Sequence, residues 1–322
     1  MYWFCIDVSN RLAADHPPPL ASTAVTYAMT DANRGFALGA LGVVIFAMTL
    51  PMTRLAVGSA ADPQLPPAFV TAGRAALAGL LSVLYLLALR ARLPPRRPGP
   101  ALVVSALGTV VGFPMSLALA LRQVDAMHAA VVSGLMPLST ALIAALVFRQ
   151  RPSLGFWACA FCGCALVLGF AAWAGGGALS AGDGWLLLAV LFTGVGYVAG
   201  AKVAAELPAP QVICWVLVMS LPFTLPVALW TWPQASVRLS AWGGLAYVAL
   251  FSMWLGFFAW YRGLALGGVV RVSQVQLLQP FLALLFAVPV LGERLQPATV
   301  AFSLAVIAVV YVGRRMPVAR RA

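Results

Sequence analysis

Ten apolar runs follow one another with only short breaks, over approximately 36–57, 67–89, 101–121, 127–148, 153–173, 185–204, 209–231, 242–261, 269–291 and 297–313. At about 1.5 Å per residue, runs near 20 residues cross a hydrocarbon core of about 30 Å. Lipid offers no partner to the backbone, so such runs must fold as helices; a closed barrel would instead show stretches of about ten residues with alternating polarity. Composition agrees. The chain is 62% hydrophobic and 9% charged, with a mean hydropathy of +0.96, against roughly 45–50% and about 25% in soluble domains. The fold class expected is an all-α polytopic membrane protein with ten transmembrane helices.

In a soluble protein a net charge of +12 would suggest nucleic acid as a partner. Here the charge reads as topology. With both ends cytoplasmic, the inner segments hold Arg11, Arg34, Arg90, Arg92, Arg96, Arg97, Arg149, Arg151, Lys202, Arg262, Arg271, Arg314, Arg315, Arg320 and Arg321, fifteen of the 20 basic residues. Arg54, Arg122, Arg238 and Arg294 fall outside and Arg74 falls within the second span, so the positive-inside bias predicts N-in and C-in. Trp173, Trp185, Trp230, Trp232 and Trp242 sit near predicted outer ends, where amphipathic rings favour the headgroup region. The partners implied are a lipid bilayer and a small molecule, not nucleic acid.

Residues 1–34 read as an extended cytoplasmic tail. They lack the basic start and unbroken apolar segment of a signal peptide, contain Pro17-Pro18-Pro19, and include Met29, an alternative start of the kind membrane proteins use. Cys159, Cys162 and Cys164 cluster as CAFCGC without a second ligand pair or a nearby histidine, so they read as small packing residues rather than a metal site. No cofactor motif occurs.

An offset of 143 residues places Leu121 on Leu264, Pro137 on Pro280, Phe148 on Leu291 and RQRPS (149–153) on GERLQ (292–296). The chain therefore contains a repeat, expected over 35–174 and 184–313 with a basic tail at 314–322. Five spans per copy force the second copy to cross the membrane in the reverse sense. Inverted repeats of this kind place substrate near the midplane between halves that rock, which points to a transporter.

Together with ten spans in two halves, the pattern of a helix ending P-x(10)-L-G-E-R-L before a last span, a weaker copy at Pro137, Arg74 within PPAFVTAGR and Arg54 late in the first span resembles the EamA-type branch of the drug/metabolite transporter superfamily. The resemblance spans about 36 to 313. It implies movement of small metabolites, often amino acids and commonly outward, through a cavity lined by spans 1, 3, 4, 6, 8 and 9. The first half departs from the pattern, reading Phe148-Arg149-Gln150-Arg151 where the second reads Leu-Gly-Glu-Arg.

Polar residues inside the spans supply candidate sites. At 100° per residue Ser273, Gln276 and Gln279 share a sector of about 120°, with Gln274 outside it. Carboxamides donate and accept without a fixed charge, which suits a zwitterionic or amide-bearing ligand; the alternative role is hydrogen bonding between helices. Trp254, Phe258 and Tyr261 share a face of the eighth span and, with Tyr197, Met48 and Met115, are expected either to wall a cavity or to pack helices. Pro51, Pro114, Pro137, Pro222, Pro226, Pro280 and Pro289 each free a carbonyl four residues back and predict kinks. Gly35-x3-Gly39 and Gly196-x3-Gly200 predict close helix approach.

Charge separates the mechanisms. Asp7, Asp15, Asp31, Asp62, Asp125, Asp183, Glu206 and Glu293 all fall in tails, loops or helix ends. Without a mid-membrane acid, facilitated diffusion is expected, the candidate proton couple being His128 with Asp125. Arg74 inside a span needs a partner or a wet cavity, unless it snorkels to the interface. The spans hold no nucleophile–base pair, paired acids or metal set, which argues against an intramembrane enzyme. The reading that results is an inner-membrane exporter of small organic metabolites, amino acids first, with Ser273, Gln276, Gln279, Tyr197, Trp254, Tyr261 and Arg74 as substrate ligands. Drug or other amphipathic-metabolite efflux is the alternative, ahead of a scaffold or receptor.

Overall fold

The computed structural model describes residues 21–94, 99–147, 150–174, 179–204, 207–267, 274–316 and 318–320. Its spans are α1 (Ala21–Ala47 and, past a turn at Met48, Thr49–Val57), α2 (Pro67–Ala88), α3 (Gly99–Ser105, Ala106–Gly112 and Phe113–Leu121), α4 (Ala126–Ser133 and Met136–Val147), α5 (Leu154–Ala174), α6 (Ala181–Ala204), α7 (Ala209–Trp230), α8 (Leu239–Tyr247, Val248–Leu255 and Gly256–Gly267), α9 (Gln274–Leu278 and Gln279–Leu291) and α10 (Pro297–Arg315). Among the described residues, eight of these are long and apolar enough to cross a membrane, and α9 and α10 are shorter apolar helices. The described part of α1 opens at Ala21, so residues 21–34 are helical where the sequence pattern predicts a tail; ASTAVTYA holds three alanines and neither Gly nor Pro. A two-stranded antiparallel ribbon, β1 (Gln150–Pro152) with β2 (Val318–Arg320), joins the α4–α5 connection to the C-terminal segment.

Three of the helix breaks lie beside prolines. Pro114, Pro137 and Pro280 stand at the first positions of helical segments, where a missing N–H costs nothing. Each lies just beyond an irregular stretch: a π-helical segment at Ala106–Gly112, a turn at Gly134 and Leu135, and a 3-10 turn at Gln274–Leu278. Pro222, Pro226 and Pro289 lie inside α7 and α9. A second π-helical segment, Val248–Leu255, interrupts α8. The repeat offset maps Ala106–Gly112 onto it, and it maps the α4 turn onto the end of the α9 3-10 turn.

Packing obeys the same exchange of halves. α1 lies against α8 as α6 lies against α3, and α1 against α9 as α6 against α4, while α2 pairs with α7, α4 with α9 and α5 with α10. This is a ten-helix bundle of two inverted five-helix repeats. The α1–α8 crossing is backbone on backbone: a Cβ on Gly263 would sit 2.6 Å from the Gly39 nitrogen and 2.9 Å from the Gly35 oxygen. At the α3–α6 crossing, a Cβ on Gly108 would meet the Gly196 Cα at 2.6 Å. Both glycine steps anticipated from the sequence thus serve close approach. α5 is peripheral; Cys162 and Cys164 are exposed on it, while Cys159 faces Gly313 of α10.

Candidate functional site

The two larger of three buried apolar clusters include Phe46, Met253 and Phe257 in one and Leu50 in the other, with Phe113 and Met136 packed against the latter. Between them lies a partly open cavity. Its polar lining comes from both halves: Thr49, Arg74 and Thr109 from the first, Thr193, Tyr197, Ser252 and Gln279 from the second. Phe46, Leu50, Phe113, Met136, Met253 and Phe257 form apolar walls. The repeat offset pairs Thr109 with Ser252, Leu50 with Thr193 and Met136 with Gln279, so three equivalent positions meet at this seam.

Arg74 is 2% exposed. It does not snorkel: its Nη2 donates to Ser252 Oγ at 3.1 Å, and Ser252 Oγ lies 2.7 Å from Thr49 Oγ1. Its Nε and Nη1 are buried without a hydrogen-bond partner among the described residues. A charged guanidinium with two unpaired donors therefore stands in the cavity wall, with hydroxyls and the Gln279 carboxamide also in that wall.

The other sequence-predicted residues are placed unevenly. Gln279 and Tyr197 line the cavity. Gln276 is half-buried in the 3-10 turn and does not line it, Ser273 lies outside the described residues, and Gln274 contributes only its backbone to the description. Trp254, Phe258 and Tyr261 do not line the cavity: Trp254 and Phe258 pack on Tyr85 of α2, with ring centroids at 6.2 and 4.9 Å, and Tyr261 packs behind the wall residue Phe257 at 5.6 Å. The cavity face of α8 is Ser252, Met253 and Phe257. Met115 accepts from Thr71 Oγ1 at 3.9 Å, and neither Met48 nor Met115 lines the cavity. Thr49, Thr109, Thr193 and Ser252 had no signal of their own in sequence; their one trace is the repeat offset that pairs Thr109 with Ser252.

Expected proton partners Asp125 and His128 do not meet. Asp125 stands at the α4 N-terminus and is exposed toward Arg54, whose Nη2 reaches its carboxylate at 3.3 Å. His128 Nε2 instead lies 2.6 Å from Asp183 Oδ1 on α6, with Phe170 beside the ring. Three residues on a helix bring two side chains to one face, but α6 packs closer to His128 than its own helix end does.

The same end of the bundle is tied both within the first half and across the repeats. Arg54 donates to the Leu121 and Val124 carbonyls, and Arg238 pairs with Asp62. Gly292 ends α9 in the left-handed region, at φ 70°, which only glycine adopts without strain. That turn delivers Glu293 to α4, where its two carboxylate oxygens accept from the Ala126 and Met127 N–H groups at 2.8 and 2.9 Å. A residue of the second half thus caps a helix of the first. Burial pushes the Glu293 carboxyl above its usual range, against the two N–H bonds that lower it.

Ten apolar spans, an inverted repeat and a polar cavity at its seam define a polytopic membrane transporter. The chain belongs to the EamA-like transporter family, which it matches over residues 33–172 and again over 180–313. It is 44% identical over 289 residues to the uncharacterized transporter YdeK of Bacillus subtilis (strain 168), covering 89% of this chain and 99% of that one. A solved crystal structure shares the fold at 20% identity, with a TM-score of 0.59, over 87% of this chain and 98% of its own.

Proposed function

We propose that the protein exports small organic metabolites, amino acids first, by alternating access of its two halves around the central cavity. The observation that carries this reading is the meeting of Arg74 and Gln279, one from each half, at the wall of a single cavity. Gln279, Tyr197 and Arg74 are its substrate ligands, while Gln276, Trp254 and Tyr261 support the helices that present them. The aromatic and sulfur walls support a second reading, efflux of bulkier amphipathic compounds. No catalytic role is assigned to any residue.

The setting is a bacterial plasma (inner) membrane with both termini cytoplasmic. Maleimide labelling of Ala61→Cys in a cysteine-free background tests this: the exposed Ala61 should react from outside the cell, and reaction from inside alone inverts the topology. With each described acid at a span end, flux should run downhill without a proton or sodium gradient. Metabolite-resolved analysis of medium from overexpressing cells tests the function itself. Accumulation of amino acids outside is the expected result, and an unchanged exometabolome would sink it.

A further inference from the structure

We propose that the cavity takes substrates through a carboxylate, with Arg74 as the residue that demands it. The inference rests on the transport reading above and narrows it. A guanidinium stays charged in a protein and cannot relieve its burial by losing a proton. At 2% exposure its one hydrogen bond among the described residues goes to a neutral hydroxyl, Ser252, and its Nε and Nη1 have no partner among them.

No carboxylate of the protein meets this need among the described residues. Asp31 faces Arg34, Asp62 faces Arg238 and Gln64, and Asp125 faces Arg54. Asp183 is held by Ser180 and His128, and Glu293 by the α4 backbone. An uncompensated buried cation is costly, and a bound anion removes that cost by charge-assisted hydrogen bonds. The occupant is an organic acid rather than an inorganic ion, because the rest of the wall is built for a carbon body. Phe46, Phe113 and Phe257 offer apolar rings, and Gln279 on the opposite half offers a donor and an acceptor for a second polar group. The site thus reads a molecule by its two ends: acid at Arg74, amine or amide at Gln279.

The test is efflux from proteoliposomes of the full chain, loaded in a chloride buffer with the twenty common amino acids and their α-carboxamides. Each pair differs only in the acid group, and protein-free vesicles give the leak. The expected result is release of one or more acids with their amides retained. In Arg74→Gln the release of those acids should fall at least about thirty-fold, with Arg74→Lys in between. An amide released as fast as its parent acid would overturn the inference while leaving the transport reading intact. That comparison uses the wild type, so it decides the matter even if the variants fail to fold. Release of chloride with no organic compound would assign Arg74 to an inorganic anion and overturn the proposal. Release of nothing would sink the transport reading and the inference with it.

Discussion

Arg74 in the first half occupies the position that Leu217 occupies in the second. Around them the two halves agree in frame and differ in lining. Both carry a π-helical segment at the same place and a broken helix ahead of an equivalent proline, Pro137 or Pro280. Both keep a hydroxyl at the seam, Thr109 or Ser252, yet Met136 faces Gln279 across the repeat and Leu50 faces Thr193. Features that set helix paths are duplicated because each half must cross the same bilayer and pack on its twin. Lining side chains carry no such constraint, and a ligand with two unlike ends favours a lopsided pocket.

The hardest blow to this comparison would be to force the halves alike. Leu217 is fully buried, so Leu217→Arg should destabilise the protein by about 3–5 kcal/mol, read as a large fall in thermal midpoint in detergent. An unchanged midpoint would mean that the second half holds a polar socket of its own. Next comes Gln279→Leu, which removes one ligand contact and should raise the half-saturation constant about five- to 150-fold, equivalent to roughly 1–3 kcal/mol. Gln276→Leu, off the cavity, should leave it unchanged. Equal effects from the two would redraw the pocket toward the 3-10 turn.

A smaller effect tests the link between halves. Glu293→Ala strips the α4 N-terminus of its acceptor from the other repeat and should cost about 1–2 kcal/mol of stability, with Glu293→Gln losing less. If both variants melt with the wild type, the cap is decorative. Smallest is the pH dependence. Burial raises the Glu293 carboxyl above its value in the unfolded chain, so the folded protein holds the proton more readily. Its contribution is fully present below the unfolded value and declines as pH rises through the folded one. Wild-type stability should therefore lose a slight increment across the upper carboxylate range that Glu293→Gln keeps, and matching pH profiles would remove Glu293 as the source.

What the sequence made legible was set by which physical signal each feature leaves. Span number and near-boundaries follow from apolarity alone, and the repeat surfaced through Pro137 and Pro280, whose chemistry is position-specific. Sharing a face did not bring both glutamines to the cavity. Gln276 and Gln279 share a face, but at a 3-10 rise of about 2.0 Å per residue they stand about 6 Å apart along the axis, and only Gln279 reaches the cavity. On α8, the period grouped Trp254 and Phe258 without saying which side looks inward; Tyr85 on α2 claims those two rings, while Tyr261 packs on Phe257. The Glu293 cap pairs residues from opposite halves, and no local pattern announces such a contact.

The paired π-helical segments also bear on which changes of length the chain withstands. Adding or removing one residue in an α-helix turns everything beyond it by about 100°, which in most of α3 would swing Ser105 away from the Gly196 carbonyl it now donates to. A π turn already stores one surplus residue. Dropping a residue from Ala106–Gly112 or from Val248–Leu255 would tighten that stretch to an ordinary α-turn and leave the helix on either side in its present phase. These two stretches are therefore the places within α3 and α8 where a one-codon deletion can be absorbed, and they occupy matching places in the two halves.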